Sequence, residues 1–231
     1  MTPFFSIIIP AYNEEKYIAK TLHSLKQQVY QDFEIIVVAN GCVDKTEEIV
    51  RKRENSTVRL LSLPNPNVSV ARNAGALNAQ GNVLLFLDAD TQLAPDSLQK
   101  IKQEFTDKYS VATTKVIPED TALKFTLAMN AKNFLLTTKL FKGFGGTLIC
   151  TKEHFQAVQG YDPNIVIKEH HHLRKKLEQK GKYKCLNTYT TTSMRRFTKW
   201  SFSKTALFWG KQWVRHYQGK ELDNDQYERI R

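Results

Sequence analysis

The stretch "SVARNAGALNAQGNVLLFLDAD", residues 69–90, predicts a helix, a turn and an apolar strand that ends on two aspartates. Its last segment, "NVLLFLD" (82–88), is apolar at every position from Val83 to Leu87. Strands that are apolar throughout are typical of a parallel sheet with helices on both faces. The stretch therefore predicts an α/β fold, with Asp88 and Asp90 at the carboxyl end of one strand.

The other segments of the first hundred residues repeat this alternation. Strands are predicted over 4–10, 33–39 and 57–63, and helices over 14–28 and 44–53. Because parallel sheets bind ligands at the carboxyl ends of their strands, the polar residues after each strand are the candidates for function. They lie at 11–14, 40–44 and 88–91.

The second half is less regular. Strands are predicted over 109–118 and 144–151, and helices over 152–159 and 169–180. Residues 120–142 are ambiguous between a helix and a loop. No linker of flexible composition interrupts the chain, which indicates one domain with a C-terminal extension.

The net charge of +11 is unevenly distributed over the 231 residues. Residues 1–116 contain 13 Lys/Arg and 13 Asp/Glu, whereas residues 117–231 contain 21 and 10. A basic half favours an anionic partner such as nucleic acid, a phosphorylated substrate or an anionic membrane, although a solvated basic surface gives the same count. Nucleic acid is disfavoured because no nucleic-acid-binding module is recognisable.

Sequence features also bear on location. No apolar run is long enough to span a bilayer, and the N-terminus lacks the basic start and apolar stretch of a secretory signal. The three cysteines are far apart and form no metal-spaced pair. We therefore expect a cytoplasmic protein, with peripheral contact at the inner face of the membrane as an option.

Asp88 and Asp90 would point to one side if the strand continued through them. Two carboxylates on one side repel each other unless a cation lies between them, and Mg2+ or Mn2+ commonly uses one or two carboxylates together with phosphate oxygens. Such a pair suits a nucleotide diphosphate. Alternatively, Asp90 caps the following helix or shapes a turn.

Four segments occur in an order that resembles the family 2 glycosyltransferases, which have the GT-A fold. They are "SIIIPAYNEE" (6–15), "FEIIVVANGCVDKT" (33–46), residues 69–90 and "GGTLICTKEHFQAVQGYDP" (145–163). The resemblance runs over residues 4–196 and implies a Rossmann-like, mostly parallel sheet flanked by helices, with a helical C-terminal extension. It divides the chain into a GT-A domain over 1–196 and an extension over 197–231. Within the domain, residues 1–116 would bind the nucleotide-sugar and residues 117–196 the acceptor.

The resemblance also implies roles for individual residues. Asp90 would bind the metal directly, and Asp88 would face the ribose or the metal. Arg72 would approach the diphosphate, as a guanidinium suits phosphate geometry, or else form a surface ion pair. The nucleotide site would be lined by Pro10, Ala11, Tyr12, Glu14, Asn40, Asp44, Arg72 and Asp88.

The sequence departs from the family pattern at two places. Ala39 stands where many members have an acidic residue that reads uracil, so Asn40 is the first polar group and both UDP- and GDP-sugars remain open. The second departure is "KEHHHLRKKL" (168–177), where the family usually has Glu-Asp-Xxx-Asp-Leu with the first Asp as general base.

The second departure leaves several assignments for the base. His170 occupies the base position and can accept a proton near pH 7. Glu169 is the other candidate, and His172, in place of the second acid, is a candidate metal ligand. The three histidines could also merely begin a helix, with catalysis lost.

Two features lie near the C-terminus. Arg195 and Arg196, in "TSMRRF" (192–197), resemble paired cations near the donor phosphates and would stabilise the departing diphosphate, or else are solvated. Beyond them, aromatic residues recur at helical spacing among lysines and arginines. Such a helix can lie on an anionic membrane, or pack on the catalytic domain or a second subunit; its members are Phe202, Ala206, Trp209, Trp213 and Tyr217.

The sequence thus predicts an inverting, metal-assisted, hexosyltransferase-like enzyme with Mg2+ or Mn2+ as cofactor. It would use a UDP- or GDP-sugar and a sugar or lipid-linked acceptor, in the biosynthesis of cell-envelope polysaccharide or glycolipid. One alternative is a nucleotide-sugar-binding protein of the same fold that has lost transfer. Another is a nucleotidyltransferase, although "PAYNEE" has no glycine-rich phosphate loop.

Overall fold

The computed structural model describes residues 2–138, 142–165 and 168–200, together with Leu207 and Lys211, apart from the side chains of Arg196, Thr198 and Trp200. The first half contains β1 (Phe5–Ala11), α1 (Ile18–Lys26), β2 (Phe33–Asn40), α2 (Thr46–Arg51), β3 (Val58–Leu63), α3 (Val68–Asn78), β4 (Val83–Leu87), β5 (Thr91–Leu93) and α4 (Ser97–Glu104). The second half contains β6 (Tyr109–Pro118), α5 (Leu123–Thr137), β7 (Thr147–Thr151), α6 (Lys152–Ala157), α7 (Glu169–Leu177), β8 (Lys182–Thr192) and α8 (Arg195–Trp200).

The eight described strands form one sheet in the order β3-β2-β1-β4-β7-β6-β8-β5. Strands β1 to β4 pair in parallel, and β6 pairs with β8 in parallel. The pairs β4–β7, β6–β7 and β5–β8 are antiparallel. The predicted α/β class and mostly parallel sheet are confirmed, with β7 reversing direction inside the sheet.

The core lies on both faces of this sheet, which explains why its strands are apolar throughout. Ile7 and Ile9 pack in one hydrophobic cluster and Ile8 packs in the other. Gly75 lets α3 approach the sheet, because a Cβ there would lie 2.4 Å from Cγ2 of Ile8. Full burial of each such aliphatic side chain is worth about 1.5–3 kcal/mol.

Three elements of the structure were not predicted, or not with definite bounds, from the sequence. The short strand β5 and the eleven-residue strand β8 were not predicted, and the ambiguous segment 120–142 contains the helix α5. Strand β8 was not predicted because its sequence, "KYKCLNTYTTT", is mostly polar. Its buried positions are filled by hydrogen-bonded threonines, where other strands have apolar side chains.

The predicted boundaries after residues 116 and 196 stay predictions. Strand β6 runs across the first boundary and helix α8 across the second. The aromatic stripe predicted from Phe202 to Tyr217 has all five of its members outside the described residues. Among the described helices, none has the length and apolar character needed to cross a membrane.

Candidate active site

The sheet opens between β1 and β4 at their carboxyl ends. Strand β1 pairs with β2 as far as Ala11 but with β4 only as far as Ile8. The order of strand addition also reverses here, because β2 lies on one side of β1 and β4 lies on the other. Such a switch point leaves a crevice where α/β proteins bind ligands.

The loops after β1 and β2 are joined by Asp44. Its carboxylate accepts hydrogen bonds from the backbone and hydroxyl of Thr46 at 2.9 and 2.6 Å, and from the backbone of Glu15 at 3.1 Å. Burial alone would raise the pKa of Asp44, but these hydrogen bonds outweigh it and hold the pKa below its ordinary value. Asp44 therefore fixes the shape of the crevice as an ionised carboxylate.

The predicted nucleoside residues lie along the same edge. Pro10 and Ala11 end β1 as buried residues, and Tyr12 is half-buried just beyond them. Asn40 is also buried, and its amide donates to the carbonyl of Ala11 at 2.9 Å. Asn40 thus ties β2 to β1, which leaves its side-chain oxygen as the atom that could read a base.

Asp88 and Asp90 lie in a turn, and the strand-alternation argument does not apply to them. Strand β4 ends at Leu87. The backbone amide of Asp88 donates to the carbonyl of Gly146 at 3.1 Å, and the backbone amide of Thr91 donates to the carbonyl of Asp88 at 3.0 Å. Gly146 has φ of +78°, and a Cβ there would lie 2.8 Å from Oγ1 of Thr91, so the position suits glycine. The two carboxylates pair with two different arginines.

Arg72 joins Asp88 to Glu169. Its guanidinium lies 3.0 Å from Oδ1 of Asp88 and 2.8 Å from Oε1 of Glu169, and its side chain is 4% exposed. The ring of Tyr161 lies 5.3 Å beneath it. Burial would lower the pKa of Arg72, but Tyr161 and the two carboxylates outweigh this and raise it, so the arginine stays charged.

Glu169 and His170 begin α7 and differ in their surroundings. The side chain of Glu169 is 17% exposed. His170 is packed between Phe144, at 5.2 Å between ring centres, and Tyr161, whose hydroxyl lies 2.8 Å from Nδ1. Its Nε2 is buried without a hydrogen-bond partner. The pKa of His170 is well below its ordinary value because of burial and, secondarily, the charge of Arg72.

The low pKa of His170 predicts a loss of stability in acid. Below the unfolded pKa, the unfolded chain takes up a proton that the folded chain does not, so the free energy of unfolding falls as the pH drops. We expect the melting temperature of the wild type to fall more than that of His170→Gln between pH 7.5 and about 5.5. Parallel pH curves for the two proteins would show that His170 titrates normally.

Arg195 holds Asp90. Its guanidinium makes two hydrogen bonds to Glu14, at 2.7 and 2.8 Å, and lies 3.0 Å from Oδ2 of Asp90 and 4.8 Å from the ring centre of Tyr17. Glu14 is 4% exposed, so this bidentate pair is shielded from solvent. The start of α8 is thereby attached to the loops after β1 and β4. The side chain of Arg196 lies outside the described residues.

The metal-ligating potential of this site rests on Asp90. Within the described ranges, no three His, Cys, Asp or Glu side chains converge as ligands for a cation. A site with one or two carboxylates suits Mg2+ or Mn2+ only when phosphate oxygens complete the coordination. The metal roles of Asp90, Asp88 and His172 remain predictions, with His172 exposed on the first turn of α7.

Sequence reasoning missed one residue of this site. Tyr161 supports both Arg72 and His170, and its signal in the sequence was the "GYDP" turn.

Comparisons with known proteins agree with this geometry. A family model described as "Glycosyl transferase family 2" matches residues 6–199. A chondroitin synthase from Pasteurella multocida is 29% identical over 197 residues, which cover 80% of this chain and 20% of that protein. An uncharacterized glycosyltransferase from Haemophilus influenzae is 39% identical over 101 residues, which cover 42% of this chain and 40% of that protein. The chain thus spans about a fifth of the first of these relatives and two fifths of the second.

Solved structures have the same fold. TarS 1–349 of S. aureus in complex with UDP has a TM-score of 0.64 and 23% identity, covering 84% of this chain and 62% of that chain. The mannosyltransferase PcManGT from Pyrobaculum calidifontis, in complex with GDP-Man and Mn2+, has a TM-score of 0.68 and 19% identity, covering 83% and 57%. These likenesses confirm the predicted GT-A fold.

Proposed function

The chain belongs to the family 2 glycosyltransferases, and we propose that it transfers a sugar from a UDP- or GDP-sugar to an acceptor hydroxyl with inversion at the anomeric carbon. One observation supports this most directly. Two arginines at the strand ends each lie between two carboxylates, as Glu169–Arg72–Asp88 and Asp90–Arg195–Glu14. Such an array can bind a diphosphate and hold a base beside it.

Glu169 is the base that the contacts favour. It is partly exposed at the crevice, and Arg72 orients it next to Asp88. An inverting transfer needs a base that removes the acceptor proton as the hydroxyl attacks the anomeric carbon. His170 fits this role less well, because its Nδ1 faces Tyr161 and its Nε2 is buried. We therefore assign His170 the role of holding Tyr161 under Arg72.

Arg195 is the cation best placed for the leaving group. In the described structure Glu14 and Asp90 hold its guanidinium at the strand ends. A diphosphate that entered the crevice would offer Arg195 a third anionic partner while Glu14 kept the orientation of the guanidinium. Arg196 could assist, and Pro10, Ala11, Tyr12 and Asn40 would line the nucleoside.

Mg2+ or Mn2+ fits this donor set. The Asp90 carboxylate would hold the ion together with donor phosphate oxygens, with Asp88 nearby, and the ion would neutralise charge on the leaving diphosphate. Because Arg195 already pairs with Asp90, we expect the ion to bind far better together with the nucleotide than alone. The Mn2+ and GDP-Man present in PcManGT support this choice.

Polysaccharide or glycolipid assembly in the cell envelope is the setting we propose. Support comes from the relatives, which include a chondroitin synthase and a hyaluronan synthase from Pasteurella multocida. The acceptor would be a growing glycan or a lipid-linked sugar at the cytoplasmic face of the membrane.

A nucleotide-sugar-binding protein without transfer is a second candidate, favoured because Nε2 of His170, at the usual base position, is buried without a hydrogen-bond partner. Both candidates predict donor binding, but only the enzyme releases nucleotide on addition of an acceptor. Membership of the glycosyltransferase family argues against the nucleotidyltransferase alternative.

A screen of nucleotide sugars, with and without Mn2+, tests the proposal. We expect one UDP- or GDP-sugar with Mn2+ to raise the melting temperature by several degrees, because a ligand at 100 times its Kd adds about 2.7 kcal/mol to stability. Mn2+ alone should have little effect. Incubation of that donor with candidate glycan acceptors should then release UDP or GDP. Stabilisation by a nucleoside triphosphate and no sugar nucleotide would contradict the proposal.

A further inference from the structure

Helix α5 is apolar on two opposite sides. Its inner side is packed in the protein through Phe125, Met129 and Leu136, and Asn133 bonds both backbone groups of Val116 in β6. Its other side exposes four large apolar side chains, which we call the outer face of α5: Leu123 is 73% exposed, Leu127 58%, Phe134 70% and Leu135 44%.

The outer face forms one patch. At about 100° per residue, Leu123, Leu127 and Phe134 lie within about 40° of one another around the helix axis, with Leu135 at the margin. A helix that is apolar all round is normally buried, and contiguous exposed apolar side chains mark a docking surface. The inner side already holds α5 in the fold, so the exposed side chains of the outer face can meet a partner.

The charge of the surrounding chain identifies the kind of partner. The entire net charge of +11 is contributed by residues 117–231, which contain α5. Lys124 and Lys199 are exposed on α5 and α8, and Phe197 of α8 contacts Phe125 of α5 at 5.8 Å between ring centres. The chain after α8 continues into the basic, aromatic residues that begin at Phe202. A second copy of this chain would bring one basic surface against another, which is unfavourable.

We propose that the outer face of α5 docks on an anionic lipid surface. Lipid supplies both an apolar layer for Leu123, Leu127 and Phe134 and negative charge for the basic half of the chain that contains α5. Resting on the proposed function, this placement has a consequence for catalysis. Phe125 and Met129, on the inner side of α5, belong to one hydrophobic cluster with Met194. Met194 precedes Arg195, which pairs with Asp90, so the helix that meets lipid also supports this part of the active site.

Vesicle flotation of the full chain, without any sugar donor, tests the docking separately from glycosyl transfer. The wild type should float with phosphatidylcholine vesicles that contain phosphatidylglycerol, and less with phosphatidylcholine alone. Leu127→Glu/Phe134→Glu should weaken binding by about tenfold or more, because two apolar anchors become charged. Leu77→Glu, at an 81% exposed leucine on α3, is the matched control and should bind as the wild type does.

Two further measurements separate lipid from other occupants. If lipid is the partner, the double variant should melt within about two degrees of the wild type in lipid-free buffer, because its changes are at exposed sites. A large fall in melting temperature would show that the chain's own C-terminal segment covers α5, and would overturn the proposal. So would a dimer that the double variant abolishes, or vesicle binding that the double variant leaves unchanged.

Discussion

Replacing Asp90 by alanine is expected to lower kcat for sugar transfer by about 10³-fold. Asp90 is the carboxylate that would hold the divalent cation against the donor diphosphate, and without it the charge on the leaving group is not neutralised. The protein should still fold, because Arg195 keeps its bidentate pair with Glu14.

The measurement is the rate of nucleotide release over a series of Mn2+ concentrations. It uses the donor found in the ligand screen and the acceptor that releases UDP or GDP from it. Asp90→Ala should also remove the extra stabilisation that Mn2+ gives in the presence of nucleotide. Asp107→Ala is the matched control. Asp107 is exposed just before β6, at the amino end of that strand and away from the carboxyl ends that form the site. An Asp90→Ala variant that transferred sugar at the wild-type rate would exclude a metal role for this residue.

Replacing Glu169 by glutamine is expected to lower kcat by about 10² to 10⁴-fold, the range for loss of a general base, with little change in donor affinity. The amide oxygen can still accept a hydrogen bond from Arg72, so the Arg72–Asp88 contact should persist. The loss would therefore fall on proton removal from the acceptor, and donor binding would be retained in the thermal-shift assay.

His170→Gln distinguishes the two candidate bases. If Glu169 is the base, His170→Gln should lower kcat by no more than about tenfold, through a looser Tyr161 beneath Arg72. Glu153→Gln, at an exposed glutamate on α6, is the control for the amide change. A severe loss in His170→Gln with a mild one in Glu169→Gln would reverse the assignment.

The sequence predicted the nucleotide half of the fold well because local patterns there report burial directly. An apolar strand such as "VLLFL" can be satisfied only inside a sheet covered on both faces, and the polar residues that follow it must then lie at one edge. The prediction was weaker where burial depends on hydrogen bonding. Threonine-rich β8 and the two-sided helix α5 have patterns that do not distinguish them from loops.

By itself, the sequence determined the α/β class and the family resemblance, and it predicted the edge of the sheet at which we propose that the chemistry takes place. The tertiary structure decided which charges meet there: Arg72 lies between Asp88 and Glu169, Arg195 lies between Asp90 and Glu14, and His170 is enclosed by aromatic rings. The physical reason is one of range. Strand and helix patterns arise from neighbours a few residues apart, whereas these ion pairs join residues 16 to 181 positions apart, and their geometry exists only after the sheet has assembled.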